Sequence, residues 1–192
     1  MKPFALEAGA VLLDEVRASD TLAIYEYCQD PVFERFLTTP WPYTRQHAEG
    51  FVKEFVPAGW ASGEELTWAL RRHEAAPLMG VIGLRIRELP LLGFWLGEEN
   101  RGHGYMPAAV TAVVDWGFSS GIETVQWECL VDNVASMAVA RKTGSSSTAE
   151  RSALRATHPM TEVPPRQRLT RVDLAGGQHR WSDAASNGSD LT

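Results

Sequence analysis

The chain has little of what metal-binding, membrane-spanning or nucleic-acid-binding proteins need. Its two cysteines, Cys28 and Cys129, show no metal-ligand spacing, so we predict buried thiols of a reducing compartment and no metal site. A formal net charge of −6 argues against a nucleic-acid partner. No run approaches the roughly 18 apolar residues of a membrane span, and Lys2 is the only basic residue before Arg17, which fits no secretory signal. The composition predicts a soluble, cytoplasmic protein.

The amount of apolar sequence is ordinary for a globular protein. Of 192 residues, 44 % are hydrophobic and 22 % are charged, which suits one domain with a single core. We assign residues 1–181 to that domain. Residues 182–192 are small and polar, and we expect them to form a disordered tail.

Hydrophobic periodicity predicts an α/β fold with an antiparallel run of strands in its middle. Ser19 and Asp20 offer N-cap oxygens to a first helix, and Asp30-Pro31 predicts the start of a second, short helix near 32–37. Thr44 can cap a third helix, which has Ala48, Phe51, Val52 and Phe55 on one face. Two later helices carry Met106, Ala109, Val110, Val113 and Gly117, and Val134–Lys142 ended by Gly144. The predicted strands are Val11–Val16, Leu66–Arg71, Met79–Ile86, Leu91–Leu96, Thr124–Val131, Leu169–Leu174 and a weaker one near Ala153.

A pair of glycines, Gly102 and Gly104, lies directly before the helix that contains Met106. The chain has no GxxxxGK[ST] run, and Pro107 stands where a dinucleotide fingerprint needs its third glycine, so both of those phosphate loops are excluded. An ordinary strand-to-helix turn and a phosphate-binding turn remain. In the second, free N–H groups at the helix start would bind an anion beside Arg101 and His103.

A second motif, Asn133-x-x-Ser136-x-x-Val139-x-x-Lys142-x-Gly144, follows a predicted strand. Each residue has a structural explanation, because Asn133 can cap the helix and Lys142 complements its C-terminal dipole. Together with GFWLGEENRGHGYMPAAV and the upstream DPVFERFLTTPWPYT, however, it resembles the GCN5-related N-acetyltransferase (GNAT) superfamily, in the branch of the RimJ/RimL acetyltransferases. The resemblance covers roughly residues 10–144.

Two positions depart from the pattern of that branch. Glu99 stands at the first loop position, where the superfamily has glutamine or arginine, so its carboxylate must turn away from a phosphate or be offset by Arg101. Gly144 is followed by Ser145 instead of an aromatic residue, which makes a degenerate or unusually specific enzyme an alternative.

The resemblance implies the GNAT fold, a central mixed but mostly antiparallel sheet that splays between two parallel strands and is flanked by helices. It also implies acetyl-CoA, or another acyl-CoA, as donor, with its pantetheine between Gly93–Gly97 and Gln126–Val131. The expected reaction is direct attack of a primary amine on the thioester in a ternary complex. Dimers are common in the branch, but no stretch of this sequence identifies one.

The resemblance also assigns roles to individual residues. Backbone N–H groups near Phe94, Trp95 and Leu96 would polarise the thioester carbonyl. Asn133 would bind the pantetheine or acyl end, and Ser136 would protonate the leaving thiolate. The diphosphate would take the backbone N–H groups of Arg101, Gly102, His103, Gly104, Tyr105 and Met106.

The general base and the acceptor pocket are less defined. Leu91 and Leu92 stand where related enzymes often have a glutamate, and side-chain alternation leaves open whether Glu128 faces the cleft. A weak base favours an amine of low pKa, such as a protein N-terminal α-amine, over lysine. Trp41 and Tyr43 are candidates for the acceptor pocket, with core packing as the alternative.

Overall fold

A computed structural model of the chain describes residues 1–130, 132–143, 146–153 and 167–175, with the last two ranges described as backbone. Within these ranges, eight strands form one sheet in the order β1-β2-β3-β4-β5-β6-β8-β7. Every neighbouring pair is antiparallel except β5 and β6. The strands are β1 Leu6–Ala8, β2 Val11–Glu15, β3 Glu65–Arg71, β4 Gly80–Arg85, β5 Leu91–Leu96, β6 Thr124–Leu130, β7 Ser146–Ala153 and β8 Gln167–Ala175.

Helices flank the sheet, as the predicted fold class requires. They are α1 Thr21–Tyr27, α2 Pro31–Phe36, α3 Arg45–Gly50, α4 Val56–Ser62, α5 Tyr105–Ser119 and α6 Val134–Lys142, with 3₁₀ turns at Ala18–Asp20 and Glu98–Asn100. In the part of the chain that the structure describes, no helix is both long and apolar enough to cross a membrane. The mixed sheet and its flanking helices confirm the fold predicted from the sequence.

The parallel pair β5 and β6 stays together over a short distance only. Leu91 pairs with Gln126 and Leu92 with Trp127, and there the register ends. From Gly93 to Leu96, β5 remains paired with β4 on its other side. The two parallel strands therefore diverge over the second half of β5, which opens the sheet from within.

The core contains the residues that periodicity selected on α5. Met106, Ala109, Val110, Val113 and Gly117 are all buried. Behind them, four aromatic rings pack edge-on or tilted at centroid distances of 5.1–5.8 Å, and such pairs add to the burial energy of their large surfaces. These rings belong to Phe4, Trp60, Trp68 and Trp116.

Three local predictions need correction. The first strand is preceded by β1, with which it forms a hairpin through Gly9. Asp20 precedes α1 but its side chain does not cap that helix, because the carboxylate binds Arg71 instead. Thr44 does cap α3 by accepting from the His47 N–H, but the chain continues through a π-helical turn, Phe51–Phe55, into α4. Phe55 is 45 % exposed and so leaves the predicted apolar face.

A buried ion cluster fixes one side of the sheet. Arg71 is 2 % exposed and donates from Nε to Asp14 Oδ1 at 2.8 Å and from Nη2 to Asp20 Oδ2 at 2.5 Å. These contacts join β2, β3 and the turn before α1. We call Arg71, Asp14 and Asp20 the ion cluster.

Several sequence predictions lie outside the described residues. They are Gly144 as the end of α6, Val131 as the last residue of its strand, Ser145 at the position after Gly144 and the tail 182–192. The boundary of the domain at residue 181 also lies there and stays a prediction.

Candidate functional site

A cavity of about 300 Å³ opens where β5 and β6 diverge. Its walls come from α2, the end of β5, the loop that follows, the first turn of α5, and α6. The structure brings most of the predicted cofactor residues together here, namely Phe94, Trp95, Leu96, Arg101, Gly102, Gly104, Tyr105, Met106, Asn133 and Ser136.

The stretch from Gly102 to Met106, which we call the glycine segment, presents free backbone donors. Gly102 and Gly104 have φ angles of +82° and +80°, a conformation that glycine adopts without the steric cost of a Cβ. Among the described residues, none accepts a hydrogen bond from the five backbone N–H groups of this segment. Because two of these groups also open the helix α5, the segment carries the partial positive charge of a helix N-terminus.

Arg101 does not contribute as the sequence suggested. Its backbone N–H donates to the Glu98 carbonyl at 3.1 Å, so that donor is already used. Its guanidinium donates from Nε to the Leu96 carbonyl at 3.1 Å and from Nη2 to Asp30 Oδ2 at 2.6 Å. At the cavity wall, the guanidinium of Arg101 is therefore paired with the carboxylate of Asp30.

Asp30 is also the N-cap of α2, where its Oδ1 accepts from the Val32 N–H at 2.8 Å. Partial burial alone would raise the pKa of Asp30, but the Val32 N–H and the Arg101 guanidinium outweigh it and lower the pKa below its ordinary value. The aspartate is thus held in its charged form.

Glu99 turns away from the glycine segment. Its Oε1 lies 2.6 Å from the hydroxyl of Tyr27, on α1, and this hydrogen bond is the main cause of its lowered pKa. Burial and the Glu99 charge together raise the pKa of Tyr27 to about 12. Glu99 can stand at this loop position because its carboxylate is bound on the side of α1.

Two further side chains flank the glycine segment on its outer side. His103 is exposed and stacks on the ring of Tyr105 at a centroid distance of 5.3 Å. The guanidinium of Arg72 lies 5.0 Å from the centroid of the same ring and binds the tyrosine hydroxyl. Both basic groups lie near the free N–H groups, although His103 is not part of the cavity wall.

The start of α6 forms the opposite wall. Asn133 caps the helix, since its Oδ1 accepts from the Ser136 N–H at 3.1 Å. Asn133 and Ser136 both line the cavity, and so does Lys142 at the other end of the helix. The structural explanation of Asn133 is therefore correct. The cap uses only the amide oxygen, and no described residue accepts a hydrogen bond from the amide nitrogen.

The other predicted site residues are not brought to this cavity. Glu128 is exposed on β6 and Tyr43 is 6 % exposed within the core, while Trp41 is half-buried, and none of the three lines the cavity. The burial of Tyr43 within the hydrophobic core favours the core-packing alternative for this residue. Among the described residues that line the cavity, none carries a carboxylate or an imidazole.

Sequence reasoning missed three residues that shape the site, Tyr27, Met79 and Gly97, and one of the two roles of a fourth, Asp30. Tyr27, Asp30 and Met79 each hold part of the β5–α5 loop. Gly97 follows β5, and a Cβ there would lie 2.2 Å from Tyr27 Cε1. The N-cap signal of Asp30-Pro31 was readable, but its second role depends on a contact 71 residues away.

The sheet opens between two parallel strands beside a helix start whose N–H groups have no acceptor among the described residues, an arrangement that suits an anion. A family model described as an acetyltransferase (GNAT) domain matches residues 10–146. The chain therefore belongs to the GNAT acetyltransferase family. No curated protein matches the chain in sequence.

Solved structures share this fold. RimL, a ribosomal L7/L12 alpha-N-protein acetyltransferase in complex with coenzyme A, superposes with a TM-score of 0.77 at 17 % identity, over 90 % of this chain and 98 % of its own. RimJ of Mycobacterium smegmatis, with CoA-disulfide, gives 0.71 at 17 % identity, over 91 % and 86 %. The microcin C7 self-immunity acetyltransferase MccE, with acetyl-CoA and AMP, gives 0.72 at 16 % identity, over 86 % and 92 %.

Proposed function

We propose that this chain is an N-acyltransferase that moves an acetyl or other acyl group from acyl-CoA to a primary amine. The observation that carries the proposal is the glycine segment, whose five N–H groups have no acceptor among the described residues and lead into α5 beside a cavity between diverging strands. A diphosphate supplies the acceptor oxygens that such a segment lacks. The acyl-CoA-bound and CoA-bound structures of the same fold support this assignment.

The gap between β5 and β6 fits the extended arm of the same co-substrate. Successive N–H groups of a strand point to opposite edges, so beyond Leu92 every second N–H of β5 faces the side that β6 has left. A pantetheine amide placed there would bind as an added strand. Within the same gap, an N–H near Phe94–Leu96 would polarise the acyl carbonyl.

The acyl-CoA thioester supplies an activated acyl carbon when it is bound. The amine nitrogen would form the new C–N bond while the C–S bond breaks, and the sulfur would take a proton. Ser136 would donate that proton, directly or through water, since it lies on the cavity wall at the first turn of α6. The proton that the amine nitrogen loses would restore the serine hydroxyl. Its own N–H is held by Asn133 at 3.1 Å, which fixes the position of the residue.

The composition of the cavity wall favours an α-amine as acceptor. With no carboxylate or imidazole among the described lining residues, the side chains there give little help in removing a proton. Deprotonating a lysine amine near neutral pH costs about 4 kcal/mol, against about 1 kcal/mol for an α-amine. We therefore propose a protein N-terminus as the preferred acceptor, and RimL, an alpha-N-protein acetyltransferase, is a structural neighbour with that acceptor chemistry.

Binding of acetyl-CoA is tested first, by isothermal calorimetry and by the shift of the melting temperature. We expect wild type to bind, and Gly102→Ala to bind at least about tenfold more weakly because the strained residue moves the free N–H groups. Gly63→Ala is the matched control: Gly63 has φ +76° and, like Gly102, has no atom within 4 Å of an added Cβ. Equal affinities in both variants, or no binding by wild type, would contradict the proposal.

Turnover is tested by release of the CoA thiol with two peptides, one with a free α-amine and no lysine, the other with a blocked N-terminus and one lysine. We expect the first peptide to react faster near neutral pH, with the difference narrowing as pH rises toward the lysine pKa. A chain that binds acetyl-CoA but releases no thiol with either peptide would be the alternative, a catalytically degenerate acyl-CoA-binding module. The absence of a carboxylate or an imidazole among the described lining residues is the observation that keeps this alternative open.

A further inference from the structure

The loop between β5 and α5 is held from one side by the junction of α1 and α2. Tyr27, the last residue of α1, contacts Glu99 through its hydroxyl at 2.6 Å. Asp30, the N-cap of α2, binds Arg101 at 2.6 Å. The junction itself is closed by the Asp30 N–H, which donates to the Tyr27 carbonyl at 3.2 Å. Two loop residues are therefore anchored to a single short segment of chain, residues 27–30.

The approach between loop and junction is too close for any side chain at Gly97. A Cβ there would lie 2.2, 2.6 and 2.7 Å from three atoms of the Tyr27 ring. The Gly97 N–H donates to the Met79 carbonyl at 2.9 Å, which fixes the same residue to the chain just before β4. The loop thus joins the junction by packing as well as by hydrogen bonds.

Arg101 connects three parts of the site. It binds the carbonyl of Leu96 at the end of β5, the carboxylate of Asp30 at the start of α2, and directly precedes the glycine segment. Its guanidinium carbon also lies 5.8 Å from the ring centroid of Phe33, on α2. From α2, the side chains of Val32, Phe33 and Phe36 line the cavity, opposite α6.

We infer that Arg101 is a positioning residue that couples occupation of the glycine segment by the CoA diphosphate to the placement of α2, the helix that forms the wall of the cavity across from α6. The inference rests on the proposed function. A ligand that orders the glycine segment also orders Arg101, its neighbour in sequence, and through Asp30 it orders the N-terminus of α2. Donor binding thereby completes the wall against which the acceptor amine is placed.

The test measures hydrogen exchange of the amides of residues 32–37 with and without CoA, together with the affinity for CoA by calorimetry. In wild type we expect saturating CoA to slow this exchange by about fivefold or more. Arg101→Gln and Asp30→Asn should each reduce the effect to less than about twofold, and the double variant should be no worse than either single variant. Asparagine is as good an N-cap as aspartate, so Asp30→Asn removes the charge without removing the cap.

Arg35→Gln is the matched control on the same helix. Arg35 forms an exposed ion pair with Asp132 and makes no contact with the β5–α5 loop among its described interactions. This variant should keep the full effect of CoA on the exchange of α2. If it loses the effect as Asp30→Asn does, the coupling does not run through Arg101 and the inference is overturned.

Two other results would overturn it. In the first, CoA binds wild type but leaves the exchange of α2 unchanged, which removes the coupling while leaving the proposed function intact. In the second, Arg101→Gln binds CoA more than about tenfold more weakly while Asp30→Asn keeps the protection of α2, which makes Arg101 a phosphate ligand. Absence of CoA binding by wild type is visible in the calorimetry alone and refutes the proposed function together with the inference.

Discussion

Arg71 and the glycine segment each gather several N–H donors in a small volume, but within the described part of the chain only Arg71 is met by acceptors of the protein itself. The Arg71 guanidinium meets two carboxylates and the Ala76 carbonyl, all under nearly complete burial. The donors of the glycine segment have no acceptor among the described residues. The contrast separates a region whose donors hold the fold together from a region whose donors remain open to the ligand proposed above.

The largest loss of stability is expected from disrupting the ion cluster. Arg71→Ala leaves Asp14 and Asp20 buried without their partner, which should lower the free energy of unfolding by about 3–5 kcal/mol. Urea unfolding measures this change. Arg35→Ala, which removes an ion pair with side chains 63 % and 56 % exposed, should cost less than about 1 kcal/mol. Equal costs for the two variants would show that burial does not determine the role of the ion cluster.

A substitution at Gly97, which lies between the ion cluster and the glycine segment along the chain, should change the stability less strongly. Gly97→Ala places a Cβ against the Tyr27 ring and should destabilise the protein by about 1–3 kcal/mol through overpacking. Gly50→Ala on α3, where an added Cβ meets no atom within 4 Å, should instead stabilise it by about 0.4–1 kcal/mol. Thermal and urea unfolding of both variants would show the opposite signs, and a neutral Gly97→Ala would mean that the loop can move away from α1.

The effect that is smallest at neutral pH is a pH dependence that arises in the core and spares the glycine segment. Burial raises the pKa of Cys28 to about 12 and that of Cys129 to about 11, from an ordinary value of 9.0. Both thiols therefore stay protonated in the folded chain while the unfolded chain ionises above pH 9. Stability should be unaffected by them below pH 9 and fall as pH rises from 9 toward 11, by about 1.4 kcal/mol per thiol per pH unit at most.

Unfolding of wild type and of Cys28→Ala between pH 8 and 11 measures that slope. The variant should show a shallower fall, whatever its stability at pH 8. Identical slopes would mean that Cys28 ionises in the folded protein, so that the thiol is more accessible than its 2 % exposure indicates.

Sequence reasoning succeeded where the signal is local and periodic. The buried positions of α5 recur at helical spacing, Leu91–Leu96 is a strand with the predicted bounds, and Val134–Lys142 is a helix with the predicted bounds. Gly102 and Gly104 could be predicted to form a turn before α5 from the sequence, and the structure gives both a positive φ, which favours glycine. These features are determined by residues that are neighbours along the chain.

It failed where a role depends on contacts between distant segments. Nothing near Arg101 in the sequence reveals that its guanidinium forms an ion pair with Asp30, 71 residues earlier. Aspartate is favoured at the N-cap of a helix, but the carboxylate of Asp20 binds the Arg71 guanidinium, which is a stronger partner than a backbone N–H. For Glu128, alternation along β6 left two faces open, and the structure exposes the side chain away from the cavity.

The early separation of β5 from β6 also bears on aggregation. A strand with unpaired N–H and C=O groups normally lies at the rim of a sheet, where it can recruit another polypeptide. Here the unpaired stretch after Leu92 lies in the interior of the sheet, between β4 and β6, and helices α2 and α6 cover the approach. The fold thereby keeps an edge that a slender ligand can extend while denying it to a whole second chain.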